Sequence, residues 1–248
     1  MNHSVTRVLL SGVEKKLGDL DHSITIQIPR FELRQGEIVS IVGANGSGKS
    51  TMLDMIAMLS TPDEAVQFAL CTEMGGTQDV LTLRDSDINR LRRNSIAYII
   101  QSGGLLEFLT LKQNINLVTK LKKGKQADFN DIVESLAIEK LLQNKPAQLS
   151  GGQRQKGAVA RALIQQPDII LADEPTSAMD SLSAVRLMED LTKRVENVGS
   201  SLILVSHDAS LVEAFSHRIY RFAVTQVNNE TISTLHEERR VKDRGEQC

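Results

Sequence analysis

The run GANGSGKST, residues 43–51, spaces three glycines ahead of a lysine and a serine. Glycine removes the side chain that would keep a phosphate oxygen from backbone N–H groups, so Gly43, Ala44, Asn45, Gly46, Ser47 and Gly48 form a loop able to wrap phosphate. Lys49 adds a cation for the β and γ phosphates, and Ser50 a hydroxyl for magnesium. Thr51 continues into a helix whose N-terminus adds partial positive charge. Farther on, Asp173 and Glu174 terminate the apolar run 169–172 of PDIILADEP. Asp173 is suited to hold magnesium through its water shell, and Glu174 to polarise an attacking water. In SLILVSHD, His207 follows the apolar run, where an imidazole reaches a phosphate or serves as a cap. Gln101, after the apolar run at 96–100, offers an amide oxygen to magnesium.

A second pair of glycines lies in LSGGQRQKG, residues 149–157. Ser150, Gly151, Gly152 and Gln153 open a helical stretch in which Ala158, Val159, Ala162 and Leu163 fall on overlapping apolar faces. Ser150 is placed to cap that helix, and its start would attract an anion. The site lacks a lysine and a preceding strand. It is half of a phosphate site, whose other half comes from elsewhere.

Elements must position these residues. EIVSIVG, residues 37–43, is a short apolar run ending in glycine, which suits a buried strand feeding a turn, and KSTMLDMIAML reads as a buried helix. The phosphate loop therefore lies between strand and helix, as such a loop requires. Residues 169–172 and 201–206 are two further strands. Between them Val185, Met188, Leu191 and Val195 recur at helical spacing after Asp180 and Ser181, which can cap the helix start. Strand, helix and strand in that order imply a parallel α/β core. The segment 87–166 reads as helical, with Phe129, Ile132, Val133 and Leu136 following the cap Asp128, so a helical lobe is inserted in the core. The end of the chain, HEERRVKDRGEQC, reads as a solvated tail.

The chain has 248 residues, 41% of them hydrophobic, enough for one sizeable core. A net charge of −2 gives no global basic field, so no nucleic-acid partner is expected. Cys71 and Cys248 are far apart and outside any metal-binding spacing, which suits a reducing, cytoplasmic compartment. No apolar run approaches the ~18 residues needed to cross a bilayer, so a membrane role would require another chain to cross it.

The ordered set GANGSGKS, Gln101, LSGGQ, IILADE, SAMD and His207 is similar to the nucleotide-binding subunits of ATP-binding-cassette (ABC) proteins, over about residues 5–222. The resemblance implies an α/β P-loop NTPase core of ABC ATPase type, with an inserted helical subdomain and an N-terminal antiparallel β region. One nucleotide-binding domain would fill residues 1–248: core about 1–90 and 165–225, helical subdomain about 90–165, polar tail about 236–248. It implies a magnesium-dependent ATPase in which two copies, or this chain and a related subunit, pack head to tail. Ser150, Gly151, Gly152 and Gln153 of one subunit would then close over ATP on the other's phosphate loop. By the same resemblance Glu174 is the general base, His207 the γ-phosphate switch, Asp180 a link across the dimer, and Gln101 the coupling to an integral membrane permease-type protein.

Aligned on the family, GVEKKLG puts Leu17 where an aromatic ring usually stacks on adenine, and no aromatic lies between residues 1 and 30. Losing the stack costs roughly 1–3 kcal/mol, so weak ATP binding and poor discrimination against GTP are expected. Met179 replaces the common leucine of SALD, a volume-conserving change. GLLEFLTLKQNI resembles the branch of lipoprotein-release, macrolide-export and cell-division ATPases, although AYIIQ and Glu107 depart from it. Two other readings are a soluble ATPase acting on ribosomes or DNA, and a regulator that binds nucleotide without hydrolysis. A single cassette disfavours the first, and retention of Glu174 and His207 the second.

Overall fold

A computed structural model of the chain describes residues 5–18, 23–121, 127–227 and 230–240. Residues 1–4 and the last part of the expected tail, 241–248 with Cys248, lie outside these. The N-terminal half runs β1 (Thr6–Gly18), β2 (Ser23–Arg34), β3 (Ile38–Val42), α1 (Lys49–Ile56), β4 (Gln67–Thr72), β5 (Gly76–Asp79), α2 (Asp85–Ser95), β6 (Ile96–Ile99) and α3 (Leu111–Leu121). There follow α4 (Phe129–Ser135), α5 (Gly151–Leu163), β7 (Ile169–Asp173), α6 (Ser181–Val198), β8 (Ser201–Val205), α7 (Ala209–Phe215), β9 (Arg218–Val227) and β10 (Glu230–Arg240).

The ten strands form one sheet in the order β5-β4-β1-β2-β10-β9-β3-β8-β7-β6. β9, β3, β8, β7 and β6 run parallel, while β2, β1, β4 and β5 form an antiparallel block. The C-terminal hairpin joins the two, because β10 pairs antiparallel with β9 and parallel with β2. All five residues in each of β3, β7 and β8 are buried, as expected of strands covered on both faces. Successive side chains alternate between two cores. Ile170, Ala172, Leu202 and Leu204 pack with α3 to α7, whereas Ile169, Leu171, Ile203 and Val205 pack with α1 and the antiparallel block.

Helix starts follow local chemistry. Asp180 caps α6 by accepting from the Ser183 amide at 3.0 Å, and Asp128 caps α4 through the Asn130 and Asp131 amides. Ser150 Oγ accepts from the Gln153 amide while Gln153 Oε1 accepts from the Ser150 amide, which closes a capping box on α5.

Two expectations need correction. Residues 96–99, read within the helical segment, form β6 and pair in parallel with β7. Four apolar residues directly after a helix carry no alternation to mark a strand, and their pairing to β7 alone defines them. Residues 236–240, read as solvated tail, continue β10 and pair with β9. The parallel pairing of β10 with β2 covers only Thr231 to Thr234, so the strand beyond borders a single neighbour and carries polar residues.

A buried ion pair anchors the start of β9. Arg218, 5% exposed, donates to both carboxylate oxygens of Glu37, to the Glu32 carbonyl at 2.7 Å and to the Tyr220 hydroxyl at 3.0 Å. Burial pulls the guanidinium pKa down, but the Glu37 hydrogen bonds outweigh it and the net shift is upward. Arg218→Met is expected to lower stability by about 3 kcal/mol, because Glu37 is left buried without its partner. Arg218→Met combined with Glu37→Leu should recover most of that loss. Urea unfolding at neutral pH measures both, and an unchanged midpoint in the single variant would contradict this role for the pair.

Candidate active site

The carboxyl ends of β3, β7, β8 and β6 meet at one end of the parallel sheet, and each is followed by a residue of functional type. A cleft of about 520 Å3 opens there, lined by Leu17, Asn45, Gly46, Gly48, Lys49, Ser50, Thr51, Gln101, Asp173, Glu174 and His207. Residues from five separate stretches thus converge where ligands bind open α/β sheets.

The loop after β3 curls around its own lysine. Lys49 is 8% exposed, and Nζ donates to the carbonyls of Gly43 and Ala44, both at 2.9 Å. Gly48 has φ of +98°, and a Cβ there would come within 2.5 Å of Ile26 Cδ1, so this position admits only glycine. α1 starts with no side-chain cap, which leaves its first amides for an anion. A buried cation, an uncapped helix start and a glycine-lined cleft together fit a polyphosphate. Gly43, Ala44 and Ser47 shape the loop without lining the cleft, Gly43 and Ala44 through their carbonyls and Ser47 as a buried residue.

On the facing side Asp173 ends β7 and is 9% exposed. Glu174 follows with φ of +49°, a left-handed conformation unusual for a side-chain-bearing residue and held by its amide donating to the Val205 carbonyl at 2.9 Å. This backbone directs its carboxylate to His207, whose Nδ1 lies 2.9 Å from Oε2. Glu174 is largely shielded and His207 mostly exposed. Asp54, on α1, has its pKa raised first by burial, with the hydrogen bond from Tyr98 opposing and the charge of Asp173 adding to the rise. Ser50, Gln101 and Asp173 bring a hydroxyl, an amide and a carboxylate to one cleft, an oxygen donor set suited to magnesium.

Ser150, Gly151, Gly152, Gln153 and Asp180 do not line this cleft. Ser150 and Asp180 are exposed, and the glycine pair packs against the loop before α6. A Cβ on Gly151 would come within 2.9 Å of the Ala178 Cβ, and one on Gly152 within 3.2 Å of Met179 Cγ. The second glycine site and the SAMD loop are therefore one surface, apart from the first.

Two residues with no recognisable local signal hold the segment behind Gln101. Arg161, on α5, donates to the carbonyls of Gly104 at 2.7 Å and Gly103 at 3.1 Å. Asn114, fully buried, accepts from the Leu106 amide and donates to three carbonyls of the same turn. The partners of Arg161 lie 57 and 58 residues away, and those of Asn114, within eight residues, are main-chain groups that no residue type marks.

The family model described as "ABC transporter" matches residues 26–177, more than half of the chain and the phosphate loop, glycine pair and paired acids together. The chain belongs to the ABC transporter family. This cassette is 36% identical over 196 residues to the lipoprotein-releasing system ATP-binding protein LolD of Novosphingobium aromaticivorans, covering 76% of this chain and 84% of LolD. It is 35% identical over 235 residues to the macrolide export ATP-binding/permease protein MacB of Vibrio parahaemolyticus, covering 92% of this chain but only 33% of MacB. A solved dimeric structure of the ATP-binding cassette MJ0796 of Methanocaldococcus jannaschii, in a post-hydrolysis state with ADP and Pi, superposes with a TM-score of 0.78. Identity there is 31%, over 95% of this chain and 99% of that one. The cassette is an ABC-type ATPase with the α/β P-loop fold.

Proposed function

We propose that the cassette is the ATP-hydrolysing subunit of a membrane complex, driving export or force transmission across the membrane as two subunits close head to tail. The observation that carries this reading is the separation of the two glycine sites. One chain presents the phosphate loop, acids and histidine in its cleft, while its capped glycine pair stays outside. A second subunit in the opposite orientation supplies the missing half to each cleft. MJ0796 is a dimeric cassette by its description, and LolD and MacB are named for lipoprotein release and macrolide export.

In this reading Lys49 and the loop amides bind the phosphates, Glu174 takes the proton of the attacking water, and His207 holds Glu174 in place while reaching toward the γ-phosphate. Magnesium, held by Ser50, Gln101 and Asp173, would neutralise phosphate charge. Ser150, Gly151, Gly152 and Gln153 contact ATP on the opposite subunit, and Asp180 links the two sites. The whole of 1–248 acts as one cassette, with the helical segment inserted in the core. Among the described residues no helix is long and apolar enough to cross a membrane. In this reading the cassette meets the cytoplasmic face through a permease-type partner, which determines what is moved.

Co-purification of tagged Glu174→Gln from gently solubilised membranes tests the complex. A stoichiometric integral membrane protein is the expected result. Recovery of ribosomal or DNA-associated proteins alone would replace this reading with that of a soluble ATPase. Leu17, at the cleft, tests the base site: Leu17→Tyr is expected to tighten ATP binding by roughly 1–3 kcal/mol and to widen the preference for ATP over GTP. Low-micromolar, strongly ATP-selective binding by the unaltered cassette in calorimetry would contradict the expected weakness.

A further inference from the structure

The loop that carries Lys49 rests on a platform built from the far end of the chain. Ser233, in the middle of β10, is 0% exposed, and its Oγ donates to the Ser47 carbonyl at 2.7 Å across 186 residues of sequence. Ser233 is flanked in the sheet by Ile26 of β2 and Val224 of β9. Ile26 is the residue that closes on Gly48, and Phe222 of β9 closes on Gly43, where an added Cβ would sit 3.1 Å from Phe222 Cβ. Two of these platform contacts are apolar and set only how near the loop approaches. Ser233 supplies a directional contact.

Direction matters because of peptide geometry. The described chain has no cis peptide bond, so the Ser47 carbonyl and the Gly48 N–H point to opposite sides of one planar unit. A carbonyl fixed downward onto Ser233 aims the Gly48 N–H the other way, toward the cleft that Gly48 lines. With φ of +98° and no Cβ, Gly48 has little else to hold that peptide against rotation. We propose that Ser233 is a positioning residue of the nucleotide site, which fixes the Ser47–Gly48 peptide so that its N–H is already aimed at phosphate. The inference rests on reading the cleft as the nucleotide site. It adds that the β9–β10 hairpin is part of the phosphate-binding apparatus.

The test compares full-length wild type, Ser233→Ala and Ser200→Ala for ATP affinity by calorimetry and for steady-state hydrolysis. Ser200 is a matched control, since it is 3% exposed and its Oγ donates to the Pro167 carbonyl away from the cleft. Both variants lose one buried hydrogen bond and should lose similar thermal stability. Ser233→Ala is expected to raise Kd and KM about fivefold, with kcat at saturating ATP within about twofold, whereas Ser200→Ala leaves all three unchanged. An unaltered Kd in Ser233→Ala, or an equal rise in Ser200→Ala, would overturn the proposal. Should Ser233→Ala fail to fold, Ser233→Cys keeps the volume with a much weaker donor and gives the same readout. Wild type that bound no ATP would instead remove the reading of the cleft itself, a result distinct from failure at Ser233.

Discussion

Glu174→Gln is expected to reduce kcat for ATP hydrolysis by about a thousandfold while leaving the cassette able to bind ATP. The carboxylate oxygen 2.9 Å from His207 Nδ1 is the basic atom of this site best placed to take a proton from water, and an amide of the same shape cannot take it. The backbone favours the substitution as a clean one. Glu174 is held in a left-handed conformation through its own amide and the Val205 carbonyl, neither of which the change touches. Removing the negative charge also removes repulsion toward a bound triphosphate, so ATP should hold two subunits together instead of being turned over. Size-exclusion chromatography with light scattering would then show a species of twice the 27.4 kDa chain mass when ATP is present. Unaltered steady-state hydrolysis would remove Glu174 from the role of base.

Ser150→Asp is the second change expected to have a large effect, and it separates folding from function. Aspartate caps a helix about as well as serine, so α5 should keep its start and the protein its stability. The added carboxylate would face the triphosphate of the opposite subunit, and hydrolysis should fall about a hundredfold from loss of one oriented contact and gain of like-charge repulsion. ATP binding by the isolated chain should be unchanged, because Ser150 does not line its own cleft. Lys49→Ala is expected to be equally inactive for the opposite reason. Mixing the two inactive proteins tests the shared site. Half of randomly assembled dimers are mixed, and each has one intact composite site, so about a quarter of wild-type activity should return if the sites act independently. Wild-type hydrolysis by Ser150→Asp, or no recovery on mixing, would exclude a site completed in trans.

Much of this was legible in the sequence because the chemistry is contiguous. A phosphate loop is defined by which residues can approach an anion, and Gly43 to Ser50 meet that requirement within eight positions. The caps Asp128, Ser150 and Asp180 act on amides two or three residues ahead, so their roles follow from position alone. What the tertiary structure decided is convergence. Asp173 ends one strand while His207 and Gln101 follow two others, and only the parallel pairing of β6, β7 and β8 brings these ends to the cleft. β6 was missed because four apolar residues carry no period, and the end of β10 because pairing with β9 leaves its side chains polar. Arg161, Asn114 and Ser233 gave no signal for a related reason. Each acts on a backbone carbonyl, an acceptor that every residue possesses, so nothing in the partner's identity marks the contact. Side-chain chemistry is written in residue types, whereas hydrogen bonds to main chain depend on where the fold brings that main chain.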